Sequence, residues 1–96
     1  MRIVSRGRLR DFWEKHPDSE QPLKAWFYET KKAKWKNPAE VRKLFGSADF
    51  VGDRTVFNIG GNKYRLVVLI DYERHGILIR FIGTHKQYDK IDVNLI

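Results

Sequence analysis

The sequence predicts an α+β fold, a small antiparallel meander with two to three helices packed on one face. Two observations carry that expectation. Apolar residues recur at helical spacing up to about Phe45 and at strand spacing from Arg54 onward. Turn clusters at Gly60-Gly61-Asn62 and Arg74-His75-Gly76 then cut the second half into three short strands. The 96 residues suit one domain, 1–96, and 42% hydrophobic residues are enough to build its core.

Met1–Val4 alternates briefly and reads as a short strand. Ser5 is an acceptable N-cap for a helix that places Leu9, Phe12 and Trp13 on one side, and His16-Pro17 ends it. Asp18 or Ser19 opens a second helix with Pro22 in its first turn and Leu23, Trp26, Phe27 and Thr30 on the 3.6-residue period. In "WKNPAEVRKLF" Asn37 can cap and Pro38 suits the first helical position, where its missing N–H costs nothing. Gly46 closes this third helix. Strands follow over Thr55–Ile59, "KYRLVVLIDYE" and "ILIRFIG". Alternation sets Lys63, Arg65, Val67, Leu69 and Asp71 on one face of the middle strand. On the last strand it groups Ile77, Ile79 and Phe81 against Leu78, Arg80 and Ile82. Arg80 thus interrupts an apolar strand, and an ion pair with Asp71 or Glu73 is its plain structural explanation.

Nineteen Lys and Arg against twelve Asp and Glu give a net charge of +7, the balance of a protein that meets a polyanion, with nucleic acid the first expectation. The charge is uneven: Arg2, Arg6, Arg8 and Arg10 crowd the start, and Lys31, Lys32, Lys34, Lys36, Arg42 and Lys43 crowd the middle. Such a cluster serves equally as a solvated exterior or as a binding face. Cysteine is absent, which excludes disulfides and thiolate metal sites, and three scattered histidines suggest no zinc cluster. No metal or other cofactor is expected. Neither an apolar leader nor a membrane-spanning run is visible, so a cytoplasmic protein is expected.

The chemistry-bearing residues gather late in the chain. Arg80, Thr84, His85 and Tyr88 join Lys63 and Arg65 of the adjoining strand, so imidazole, phenol and cations can line one basic concavity. No nucleophile elbow, P-loop or carboxylate pair accompanies them. RNA fits such a set because its own 2′-hydroxyl is the nucleophile. The protein then supplies a base, an acid and cations for the phosphorane charge. The same stretch, "THKQYDKI", serves as a polar turn if His85 caps it and Tyr88 packs its ring on the core. Asp89 fits there as a cap or as a partner orienting His85.

A resemblance weighs on that choice. The segment from "PLKAWFYETKKAKWKNPAEVRKLF" through "ADFVGDRTVFNIGGNKYRLVVLIDYERHGILIRFIGTHKQYDKID" resembles the HigB family of type II toxin–antitoxin systems. "VFNIGGNKYRL" and "THKQYDKI" are its distinctive phrases. The resemblance implies a RelE-like fold and metal-independent cleavage of mRNA on the translating ribosome. It also implies neutralisation by a HigA-type helix-turn-helix antitoxin. Its basic, tyrosine-containing surface corresponds here to Lys63, Arg65, Arg80, His85 and Tyr88. His85 would be the principal acid/base group, Tyr88 its partner, and the three cations the phosphate holders. Lys31, Lys32, Lys34 and Lys36 are expected to meet ribosomal RNA, and the antitoxin to lie across the helices. A non-catalytic RNA- or ribosome-binding module is the competing function.

Overall fold

The structure is a computed structural model that describes residues 1–96. In chain order it contains β1 (Arg2–Val4), α1 (Gly7–Lys15), a 3-10 turn (Pro17–Ser19), α2 (Glu20–Lys32) and α3 (Pro38–Leu44). There follow β2 (Asp49–Val51), β3 (Arg54–Ile59), β4 (Tyr64–Asp71), β5 (Gly76–Thr84), α4 (His85–Asp89) and a second 3-10 turn (Val93–Leu95). The five strands form one sheet in the order β1-β5-β4-β3-β2. The meander from β2 to β5 is antiparallel, whereas β1 runs parallel to β5 at its edge. No helix is long and apolar enough to cross a membrane.

Local signals explain several boundaries. Asn37 Oδ1 accepts the Glu40 amide at 3.0 Å with Pro38 at the first helical position, the cap expected from "NPAE". Gly60 and Gly61 adopt φ of +63° and +70°, a left-handed pair that turns β3 into β4 without a Cβ clash. Ser5 departs from expectation. It takes φ +71° and its carbonyl accepts the Arg8 amide at 3.1 Å, so it bends the chain between β1 and α1 instead of capping with its side chain.

Helices α1 to α3 cover one face of the sheet. Leu9, Leu23, Trp26 and Val41 pack there against Phe57, Leu66, Val68, Ile77 and Ile79, all essentially buried. The opposite face is covered at one end by the C-terminal residues: Val93, Tyr88 and Ile96 lie over Val56, Val67 and Phe81.

Strict alternation fails on β5. Val67 pairs with Phe81 but Val68 pairs with Ile79, which leaves Arg80 as the extra residue of a β-bulge. Beyond the bulge the faces exchange. Ile82 joins Ile77 and Ile79 on the helix side, and Phe81 moves to the opposite face beside Val67. The grouping of Phe81 with Ile77 and Ile79 is therefore corrected, because one inserted residue reverses every side chain after it.

Candidate active site

The polar stretch after β5 is a helix with its own cap. Thr84 is extended; its Oγ1 accepts the Gln87 amide at 3.1 Å, and Gln87 Oε1 accepts the Thr84 amide at 2.9 Å. The His85 amide donates to the Lys63 carbonyl at 3.0 Å, which ties the start of α4 to the β3–β4 turn. Gly83 lets this corner close. A Cβ there would stand 2.5 Å from the Phe81 ring and 2.8 Å from Gln87 Oε1.

Beside α4 lies a cleft of about 520 Å³, bounded by Arg42 of α3, the Gly46–Asp49 segment, Val56 and Asn58 of β3, Arg65 of β4 and Tyr88 of α4. Its floor follows from register: Arg65 is directly opposite Asn58 on one side and Gly83 on the other, so all three share the face not covered by α1 to α3. Arg65 Nη1 donates to the Asn62 and Tyr64 carbonyls at 3.2 Å, which steadies the guanidinium without a carboxylate. Arg42 Nη2 donates to the Ala48 carbonyl at 3.0 Å, and its guanidinium lies over the Phe50 ring at 5.1 Å. The Tyr88 phenol titrates above its ordinary value, chiefly because it is partly buried and then because the Asp49 and Asp89 charges oppose ionisation; Arg65 pulls the other way. At neutral pH it is a hydrogen-bond donor.

The structure brings together two of the five residues singled out above, Arg65 and Tyr88. His85 is on the same helix, three residues before Tyr88 and half exposed. Its Nδ1 lies 3.0 Å from Asp89 Oδ2, so Asp89 reaches the imidazole and does not cap the helix. Lys63 is drawn to the other side of the hairpin, where its ammonium meets Asp18 Oδ2 at 2.8 Å and the Tyr64 hydroxyl donates to the same carboxylate. Arg80 forms no ion pair; Asp71 takes Arg74 instead, at 3.4 Å. The expected pairing of Arg80 is thus replaced by its place in the bulge. Lys31 and Lys32 end α2, Lys34 and Lys36 lie in the connection to α3, and all four are exposed. Only Lys32 has an acidic partner among these, Glu29 at 3.5 Å.

Arg42, Asp49 and Asn58 were not singled out as site residues. They come to the cleft from α3, β2 and β3, far apart in sequence, and only the charge of Arg42 stood out beforehand. No three His, Asp or Glu side chains stand together as metal ligands would.

Residues 19–91 match the family described as HigB_toxin, RelE-like toxic component of a toxin-antitoxin system. The chain is 33% identical over 92 residues to the mRNA interferase toxin HigB of Escherichia coli strain K12 and to the mRNA interferase HigB of Shigella flexneri. Each match covers 93% of this chain and 88% of the relative. A second Escherichia coli mRNA interferase HigB, from strain CFT073, is 26% identical over 94 residues, covering 95% and 91%.

Proposed function

Because the chain belongs to the HigB family of RelE-like toxins, we propose that it is an endoribonuclease that cleaves mRNA and so stops translation. It acts in the cytoplasm on mRNA held in the translating ribosome, and a HigA-type helix-turn-helix antitoxin neutralises it. The observation that carries the reading is the cleft itself. Two guanidiniums without carboxylate partners face a protonated phenol there, next to a helix that bears an imidazole backed by a carboxylate.

The roles follow from chemistry. The RNA 2′-hydroxyl attacks the adjacent phosphorus, and His85, oriented by Asp89, accepts its proton as the new P–O bond forms. Arg65 binds the phosphate oxygens, whose charge grows in the phosphorane, with planar donors matched to them. Tyr88, a phenol that is protonated at neutral pH and is pushed further up by partial burial and then by Asp49, donates to the departing 5′-oxygen as the P–O5′ bond breaks. The products are a 2′,3′-cyclic phosphate and a free 5′-hydroxyl. Arg80 at the bulge adds positive potential from the neighbouring strand, and Lys63 joins when its exposed pair with Asp18 opens. No metal ion enters this scheme. Lys31, Lys32, Lys34 and Lys36 hold ribosomal RNA.

The test is to incubate the protein with translating ribosomes and map RNA ends by primer extension. New ends that vanish with Arg65→Ala support the reading. Tight, salt-sensitive ribosome binding without any cut would establish the non-catalytic module instead.

A further inference from the structure

One wall of the cleft takes no bond-making or proton-transfer step in that chemistry. Asp49 opens β2 opposite Val56, is exposed, and its Oδ1 accepts only the adjacent Phe50 amide, at 3.0 Å. It shares the cleft with Arg42 and Arg65 but forms an ion pair with neither. A free carboxylate in a phosphate-binding cleft repels phosphate, so its useful partner on RNA is a hydrogen-bond donor, either an N–H on a base edge or the O–H of a ribose. Arg42, across the same wall, is held by Ala48 and Phe50 with most of its donors unused.

We propose that the α3–β2 wall is a nucleotide-recognition subsite beside the scissile phosphate, in which Asp49 selects a guanine and Arg42 grips that nucleotide's phosphate. Guanine presents N1–H and N2–H side by side, a match for the two oxygens of one carboxylate. Adenine and cytosine offer one amino group there. Uracil offers an N3–H flanked by two carbonyls that a carboxylate repels. The order of preference is therefore guanine first and uracil last. The cleft volume of about 520 Å³ is ample for a nucleotide. Asp49 also lies close enough to Tyr88 that its charge, after burial, adds to the upward shift of the phenol, so base recognition and the proton donor feel one charge.

The inference rests on the proposed function for its substrate, and its test separates the two. Short adenosine oligonucleotides carrying one guanosine or one uridine are titrated into the free protein by fluorescence anisotropy, and the same substitutions are placed in ribosome-bound mRNA. The wild type should favour guanosine by about tenfold, the scale of one good bidentate base contact. Asp49→Asn, and Asp49→Ala as a second variant, should erase that ratio while keeping the wild-type melting temperature. Arg42→Ala should keep the ratio and lower the slope of log affinity against log salt by about 0.7, one phosphate contact. A ratio unchanged in both Asp49 variants, or an unchanged salt slope for Arg42→Ala, overturns the subsite even if mRNA is cut. Asp49-dependent guanosine preference in a protein that makes no cut would support the subsite and refute the nuclease.

Discussion

Substituting Gly83 by alanine tests how tightly the α4 corner is built. The added Cβ would stand 2.5 and 3.0 Å from Phe81 Cζ and Cε1 and 2.8 Å from Gln87 Oε1. Carbon atoms prefer separations near 3.5–4.0 Å, so the ring must retreat by about 1 Å. It has little room, since it packs against the Val56–Val67–Val93 cluster. Forced overpacking costs typically ~1–3 kcal/mol, and displacing Gln87 from its capping box adds roughly 1 kcal/mol. A total of about 2–4 kcal/mol lowers the melting temperature of a domain this size by roughly 10–25 °C. Thermal unfolding followed by circular dichroism measures it. Gly76→Ala is the internal control, because a Cβ there meets nothing within 4 Å. Phe81→Leu, which replaces the ring by a shorter side chain without Cε and Cζ atoms, should recover part of the loss in the double variant. If Gly83→Ala melts within about 2 °C of the wild type, the close approach at this corner is not a packing constraint.

Further tests concern the proton donors and the charge pairs. His85→Ala should slow single-turnover cleavage of ribosome-bound mRNA by about 10²–10⁴-fold with normal folding. Asp89→Asn, which keeps the imidazole, should cost less, and a wild-type rate for His85→Ala would remove the imidazole from the mechanism. Tyr88→Phe keeps the ring against Val67 and removes only the donor, so a lowered rate with an unchanged melting temperature separates proton transfer from packing. The hydrogen bonds from Lys63 and then Tyr64 hold the Asp18 carboxyl below its ordinary value. Its contribution to stability is therefore present above the usual carboxylate range and is lost as pH falls through the lowered value. The Tyr64 phenol is raised chiefly by its bond to Asp18, so that contribution is complete below the ordinary tyrosine range and is lost as pH rises through the raised value. Asp18→Asn should flatten the acid limb of a plot of melting temperature against pH, and an unaltered limb would count against the linkage. Neutralising Lys34 and Lys36 together should weaken ribosome binding and reduce its salt slope by roughly 1–2 while bound mRNA is cut at the wild-type rate. Equal ribosome affinity would place the contact elsewhere.

Features written in local chemistry were legible in the residues. The change from helical to strand period near Arg54, the Asn37-Pro38 cap and the Gly60-Gly61 turn each depend on a few neighbours in sequence. The alternation that sets Arg65 on the face opposite Tyr64 and Leu66 is of the same kind, although which face the helices cover was not. So was the dense polar stretch holding His85 and Tyr88, although nothing local distinguished Asp89 as a cap from Asp89 as the partner of His85. What the tertiary structure decided depends on residues brought together from far apart. The parallel seating of β1 on β5 and the short β2 have too little sequence to show a period. The Arg80 bulge is a mismatch between two strands, invisible in either alone, and it reverses Phe81 and Ile82. Asp18, forty-five residues before Lys63, takes that ammonium away from the cleft, while α3 and β2 bring Arg42 and Asp49 into it. Burial and long-range pairing select among the arrangements that local propensity leaves equally open, and the cleft is made almost entirely of such pairings.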